Sequence, residues 1–262
     1  MTTSIAEPVR DDRAAVDKAI SLLIAFGDHA GTGLGVSELA RRAQLSKSTA
    51  FRVLGMLERN GVVERVGTGY RLGARLHQLG QAVYSPEHEQ IRDLLLPFLT
   101  DLYEATRHTV HLAALHGTDV VYLAKLYGHR TIAAPSRIGG RLPAHGTAVG
   151  KVLLAYRSHT ATQAHATPLH ALTPHTIIDP ARLADELAGI RRTGIAHDNQ
   201  ESRIGLSCLA APVFDHRGRA LAALSIAGPH GQFDTRRLET GLRRICASAT
   251  KTIVRAQLPR SA

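Results

Sequence analysis

The chain has only two cysteines in 262 residues, Cys208 and Cys246, which excludes the disulfide-dense scaffold of small secreted domains. It has no tryptophan and only 5 phenylalanines, so its aromatic content selects no ligand class. No apolar run approaches the ~20 residues needed to cross a bilayer, and no early succession of basic, apolar and small residues resembles a signal peptide. A soluble cytoplasmic protein without a membrane partner is expected. Catalytic signatures are missing too: there is no Gly-x-Ser-x-Gly, no His-Glu-x-x-His and no Cys-x-x-Cys. No catalytic residue, metal site or cofactor is expected.

Two glycine-rich stretches imitate nucleotide loops and fail on spacing. Residues 31–35, GTGLG, have the wrong glycine spacing for a dinucleotide fingerprint and follow a helix rather than a strand, so they read as a flexible connector. In residues 146–151, GTAVGK, only three residues separate the glycines, and Lys151 precedes Val152 where a phosphate loop needs Ser or Thr. The 15 histidines include His108 and His111, three apart in an expected strand and therefore aimed at opposite faces. They read as solvated or hydrogen-bonded structural residues.

Lys and Arg number 32 against 22 Asp and Glu, a formal net charge of +10. Such an excess favours a polyanionic partner where it is localised. Residues 1–80 carry only +3 and residues 81–262 carry +7, so bulk charge argues little. Residues 36–75, with 8 basic and 3 acidic side chains, hold a local +5.

That bias coincides with a pattern. In residues 36–63, VSELARRAQLSKSTAFRVLGMLERNGVV, Ala50, Val53, Leu54 and Leu57 recur at helical spacing as an apolar stripe, with Lys47, Ser48, Thr49 and Arg52 toward the wet side. Ser46 is a favoured N-cap, so this helix is expected to begin near Lys47. A shorter helix over residues 37–42 turns Leu39 and Ala40 inward, and Ala43, Gln44 and Leu45 make the turn between the two. This is helix-turn-helix spacing. Asn60-Gly61 ends the second helix, and residues 62–66 and 70–72 around Gly67-Thr68-Gly69 form the hairpin of a winged helix. The basic residues gathered here are Arg41, Arg42, Lys47, Arg52, Arg65 and Arg71.

The rest of the chain alternates. A helix is expected over residues 14–26 with Val16, Ala19, Ile20, Leu23 and Phe26 on its packing face, after a mobile polar tail at 1–13. A linker helix follows the wing at 74–84, with Leu76, Leu79 and Val83 spaced for packing. Ser85-Pro86-Glu87 starts the next helix, which runs to about Thr106. Strands over 109–115 and 119–126, and over 206–214 and 220–227, pair as hairpins. Helices are expected over 146–156, from Asp179-Pro180 to Arg192 with Gly194 as stop, and from an Asp234 cap through Leu238, Leu242, Ile245, Ala249 and Ile253. Antiparallel strands with helices around them indicate an α+β sensor-like domain rather than a doubly wound parallel sheet.

Three blocks, SELARRAQLSKSTAFRVLGMLERNGVVER, LPAHGTAVGKVLLAY and GIAHDNQESRIGLSCLAAPVFDHRGRALAALSIAGP, stand in an order that resembles the IclR family of bacterial transcriptional regulators. The resemblance implies an α+β chain divided into a winged helix-turn-helix at 14–73, a linker helix at 74–84 and a GAF-like effector-binding and oligomerisation domain at 85–258. It also implies homodimers, often paired into tetramers, and a small organic acid as effector. By position, the family's effector pocket falls on Ala148, Val149, Asp198, Cys208 and Ser225, with Ala227 where the family often has a second serine. The bland readings are a buried apolar Cys208, a turn residue at Asp198 and a strand hydroxyl at Ser225. Tyr127, Ile138, Leu142 and Cys208 hint at apolar or aromatic acids.

The function expected is a sequence-specific repressor on double-stranded DNA with a near-palindromic operator. Ser48, Thr49 and Arg52 would meet bases, while Lys47, Arg65 and Arg71 meet phosphates. The alternatives are a DNA-binding regulator or nucleoid-type binder without small-molecule control, and a small-molecule enzyme.

Overall fold

The computed structural model describes residues 13–27, 31–81, 86–129, 134–157, 168–232 and 234–256. The chain divides into two compact units, Met1–Val83 and Tyr84–Ala262.

In the first unit the order is α1 (Ala15–Ala25), β1 (Leu34–Gly35), α2 (Val36–Arg42), α3 (Lys47–Arg59), β2 (Val63–Val66), β3 (Gly69–Leu72) and α4 (Ala74–Gln81). Leu22, Phe26, Leu39, Ala40, Ala50, Val53, Leu54, Val63 and Tyr70 make one core, which pins α3 against α1 and α2. Gln44 takes a left-handed φ of 54° in the turn between α2 and α3, which lets the chain reverse in so few residues.

Three expectations change here. The connector at 31–35 is not wholly flexible, because Leu34–Gly35 pairs with β3 as a third strand of the wing sheet. The packing face of α1 centres on Leu22, Ala25 and Phe26; of the expected residues, Phe26 is buried and Ala19 and Leu23 pack against the core, while Val16 and Ile20 are 71% and 50% exposed. Both stripes of α1 are apolar, so periodicity alone does not choose between them; contact with α3 does. Arg13, assigned to the mobile tail, donates from its guanidinium to the Ala43 and Gln44 carbonyls at 3.2 and 2.7 Å, at the open C-terminal end of α2. Residues 1–12, Val83, Tyr84 and the Ser85 cap lie outside the described residues. Leu79 of α4 is exposed.

The second unit runs α5 (Pro86–Thr106), β4 (Thr109–His116), β5 (Asp119–Leu126), β6 (Arg141–Pro143), a 3₁₀ turn (Ala144–Gly146), α6 (Ala148–Ala155), α7 (Pro180–Thr193), β7 (Ala196–Asn199), β8 (Leu206–Phe214), β9 (Ala220–Pro229) and α8 (Thr235–Ala256). Its six strands lie in the order β6-β5-β4-β9-β8-β7, every pair antiparallel. One face is covered by α5 and α8 through Ile91, Leu95, Leu99, Leu242, Ala249 and Ile253; the other carries α6, with α7 beside it. The edge strands β6 and β7 were missed in the sequence because Arg-Leu-Pro and Ala-His-Asp-Asn are short and carry no apolar alternation.

A register shift in the β4–β5 pair between Leu112 and Ala113 alters the facing of β5. Tyr122 lies opposite Ala113 and Lys125 opposite His111, so a bulge brings two residues three apart onto one face.

The phosphate-loop imitation at 146–151 has a packing explanation. Thr147 caps α6 by accepting from the Gly150 amide at 3.0 Å. A Cβ on Gly150 would stand 2.1 Å from the Ala144 carbonyl oxygen, so glycine is required where the 3₁₀ turn folds back on the helix. Gly150→Ala, which in an open helix would add about 1 kcal/mol, is instead expected to destabilise this unit by about 1–3 kcal/mol. Thermal unfolding of the full chain measures the sign, and a gain in stability would refute the packing account.

Candidate functional site

The outer face of the first unit is built on α3. Ser46 accepts from the Thr49 amide at 3.2 Å, and its hydroxyl donates to Thr49 Oγ1 at 2.8 Å, so Thr49 is partly occupied with the cap. Lys47, Ser48 and Arg52 are exposed. The other expected cations are held by the protein. Arg41 and Arg42 both donate to Glu38, at 2.7–2.9 Å, and their guanidinium groups hold its carboxyl down to about 2. Arg71 donates to Glu64 at 2.8 Å. Arg65 donates to the Tyr70 hydroxyl at 2.8 Å with its guanidinium 5.2 Å from the ring centroid. Among the described residues, Lys47 and Arg52 have no acidic partner within 4.0 Å.

The sequence reading missed Phe51, which is 55% exposed. It borders an open groove with Lys47, Ser48, the start of α2 and Thr68 of the wing turn. The available signal was an aromatic residue standing off the apolar stripe.

In the second unit, Ala148, Val149, Asp198, Cys208 and Ser225 all line one small cavity. They come from the α6 start, β7, β8 and β9, and register accounts for their meeting. Asp198 lies opposite Cys208, Cys208 opposite Ala227, and Ser225 opposite His111. His111, Tyr122, Ser136, Thr147 and Ser202 complete much of the wall and were missed, since no local motif joins positions so distant in the chain. The free volume is about 20 Å³, room for roughly one water.

The cavity wall is a chain of hydrogen bonds. Lys125 Nζ donates to Ser136 Oγ at 3.1 Å and to the Ser136 carbonyl at 2.8 Å. Ser136 Oγ stands 2.8 Å from His111 Nε2, and His111 Nδ1 stands 3.2 Å from Ser225 Oγ. The contacts are consistent with Ser136 donating to a neutral imidazole whose Nδ1–H donates to Ser225. Burial, aided by the nearby Lys125 charge, pushes His111 down to about 3. It is therefore a hydrogen-bonded structural histidine and also a cavity residue.

Asp198 serves as a turn residue as well, accepting from the Glu201 and Ser202 amides at 2.7 and 3.2 Å and from the Ser202 hydroxyl at 2.5 Å. Burial raises its carboxyl, opposed by those bonds. Burial raises the Cys208 thiol well above its ordinary value, so it stays protonated. The Ala148 and Val149 amides open α6 and have no intrahelical acceptor. Amides at a helix start are groups that can receive an anion.

Lys151, the lysine of the phosphate-loop imitation, is buried and donates to Glu201 at 2.6 Å and Glu186 at 2.9 Å. It is a structural cation. The four residues that hinted at apolar or aromatic acids do not come together: Tyr127 and Ile138 are exposed on irregular chain beside the sheet, Leu142 packs with the α6 core, and of that group only Cys208 lines the cavity.

His111 has a pH consequence. Its folded value lies below the ordinary 6.5, so the unfolded chain binds the proton first. The stability linked to its burial is present above about pH 6.5 and is lost as pH falls toward 3. His111→Asn is expected to flatten the fall of unfolding free energy in that window by up to about 1.4 kcal/mol per pH unit. Denaturant melts at a series of pH values measure this, and parallel profiles would refute it.

Comparison with known proteins agrees with this architecture. Residues 85–254 match the family model for the C-terminal domain of the bacterial transcriptional regulator IclR, and residues 15–67 match the IclR helix-turn-helix domain. The HTH-type transcriptional regulator KdgR of Escherichia coli K12 is 33% identical over 246 residues, covering 92% of this chain and 92% of that protein. The transcriptional repressor IclR of the same organism is 31% identical over 256 residues, covering 94% and 91%. Among solved structures, IclR of Thermotoga maritima aligns with a TM-score of 0.75 at 31% identity, covering 92% of this chain and 97% of that one. An IclR homolog from Microbacterium hydrocarbonoxydans complexed with 4-hydroxybenzoate aligns at 0.72 and 28%, covering 93% and 100%. With family matches to both units and regulators, not enzymes, among its relatives, the chain belongs to the IclR family of helix-turn-helix transcriptional regulators.

Proposed function

We propose that this regulator is a cytoplasmic, homo-oligomeric repressor of a near-palindromic operator, released or tightened by a small organic acid. In this reading residues 14–73 are the DNA-binding domain, 74–84 the linker and 85–258 the effector domain. The recognition helix α3 enters the major groove and the wing reaches the flanking backbone or minor groove. Ser48, Thr49 and Arg52 meet bases or their near neighbours. Lys47, Arg65 and Arg71 meet phosphates, with Arg41 and Arg42 on the rim. The observation that supports this most is the exposure of Lys47, Ser48 and Arg52 together on one helix. The exposed apolar stripe Val16, Ile20 and Ile24 on α1 supports pairing of two chains, because such a stripe is stabilised by burial against a partner.

The effector is proposed to bind at Ala148, Val149, Asp198, Cys208 and Ser225, with its carboxylate on the α6 amides. Their convergence on one enclosed cavity supports this. Because that cavity now has room for about one water, a ligand must displace its wall. A ligand that binds the opened form more tightly then shifts the population, and the linker helix carries the shift to the paired DNA-binding domains.

Arg52→Ala is expected to weaken operator binding by about 1–3 kcal/mol and to relax preference at one position per half-site; an unchanged profile across operator variants would remove Arg52 from the reading surface. Operator affinity titrated with small carboxylic acids, 4-hydroxybenzoate among them, is expected to change by about 5- to 150-fold with the cognate effector. Ser225→Ala and Asp198→Asn are expected to blunt that response while leaving effector-free operator binding intact. No response to any acid would leave a regulator without ligand control.

A further inference from the structure

We infer that Phe51 is a specificity residue that reads the 5-methyl group of a thymine in the operator. The inference rests on the proposed entry of α3 into the major groove.

Phe51 is a large apolar side chain left 55% exposed on a helix whose packing stripe, Ala50, Val53 and Leu54, is buried with Leu57 partly buried beside it; Met56, at 37%, is less exposed than Phe51. Exposure of this kind is not forced by the fold, since the stripe that holds α3 in place is complete without it. Its neighbours on the helix surface are Lys47 four residues earlier and Ser48 three residues earlier, with Arg52 next in the chain. The ring thus stands among groups suited to phosphates and base edges. It also lines the open groove bounded by Gly35–Glu38 and Thr68, so among the described residues no element of its own unit covers it.

The major groove presents hydrogen-bonding groups from all four base pairs and one apolar feature, the thymine 5-methyl. A phenyl ring cannot satisfy the amino, keto or ring-nitrogen groups there, and placing it against them would strip their water without replacing the bonds. Contact with the methyl has no such cost and removes apolar surface from both partners. A bare polar outer face on α3 would recognise donors and acceptors only. Phe51 adds discrimination of thymine from cytosine, which carries an amino group and no methyl at the same edge.

The test uses the full chain and an operator duplex selected by the protein from a random pool. Each thymine is replaced in turn by deoxyuridine, which removes the methyl and nothing else. At one thymine in each half-site the replacement is expected to weaken wild-type binding about fourfold, the effect of exposing one buried methyl group. Phe51→Ala is expected to bind the thymine duplex more weakly and to ignore the replacement, and Phe51→Leu to retain part of the sensitivity. Arg52→Ala is expected to keep the full methyl effect at that thymine while losing preference at its own position. If wild type and Phe51→Ala lose the same factor at every replaced thymine, the inference is wrong while the major-groove reading stands. If the wild type selects no sequence at all, both fail.

Discussion

The antiparallel pairing of β4 with β9 is the interaction on which the second unit depends. It joins two hairpins that are each local in sequence and sets His111 against Ser225, 114 residues away. Closing so long a loop costs entropy that only the burial of both sheet faces offsets. Once made, the pairing gives α5 and α8 a continuous apolar floor on one side. On the other side it gathers hydroxyl, imidazole and thiol groups under the start of α6.

The polar groups under α6 are arranged so that charge is either paired or suppressed. Lys151 is compensated by Glu201 and Glu186, and Asp198 by the amides and hydroxyl of its own turn. His111 stays neutral between Ser136 and Ser225. Removing one partner of a buried pair leaves an uncompensated charge, so loss of either side of these contacts is costly. The same bonds make the cavity small. On the proposed effector reading, a ligand there must offer replacements for the bonds it displaces, which would make binding a conformational event rather than the filling of a preformed hole.

In the first unit the constraint is different. A short core holds α3 by one face and leaves the other for recognition. Its electrostatics are less generous than the local charge suggests, since Arg41, Arg42 and Arg71 are engaged with Glu38 and Glu64. Ion pairs this exposed exchange readily with phosphate. They orient the arginines while leaving them at the surface of the unit.

The amino-acid sequence by itself determined what local physics controls. The Ser46, Asp179 and Asp234 caps, the stripe of α3, the stop at Gly194 and the two long hairpins all follow from rules spanning a few residues. The family resemblance identified the two functional units and five cavity residues before the strands could be placed side by side. Only the tertiary structure decided which apolar face of α1 is buried, that Leu34–Gly35 is a strand, and that GTAVGK is a tight packing turn ending in a buried lysine. It alone brought His111, Tyr122 and Ser136 to the cavity, with Lys125 bonded to Ser136; a bulge and cross-strand register set His111, Tyr122 and Lys125 on one face. Register depends on partners a hundred residues away, and a one-residue shift reverses every side chain, so no local pattern encodes it.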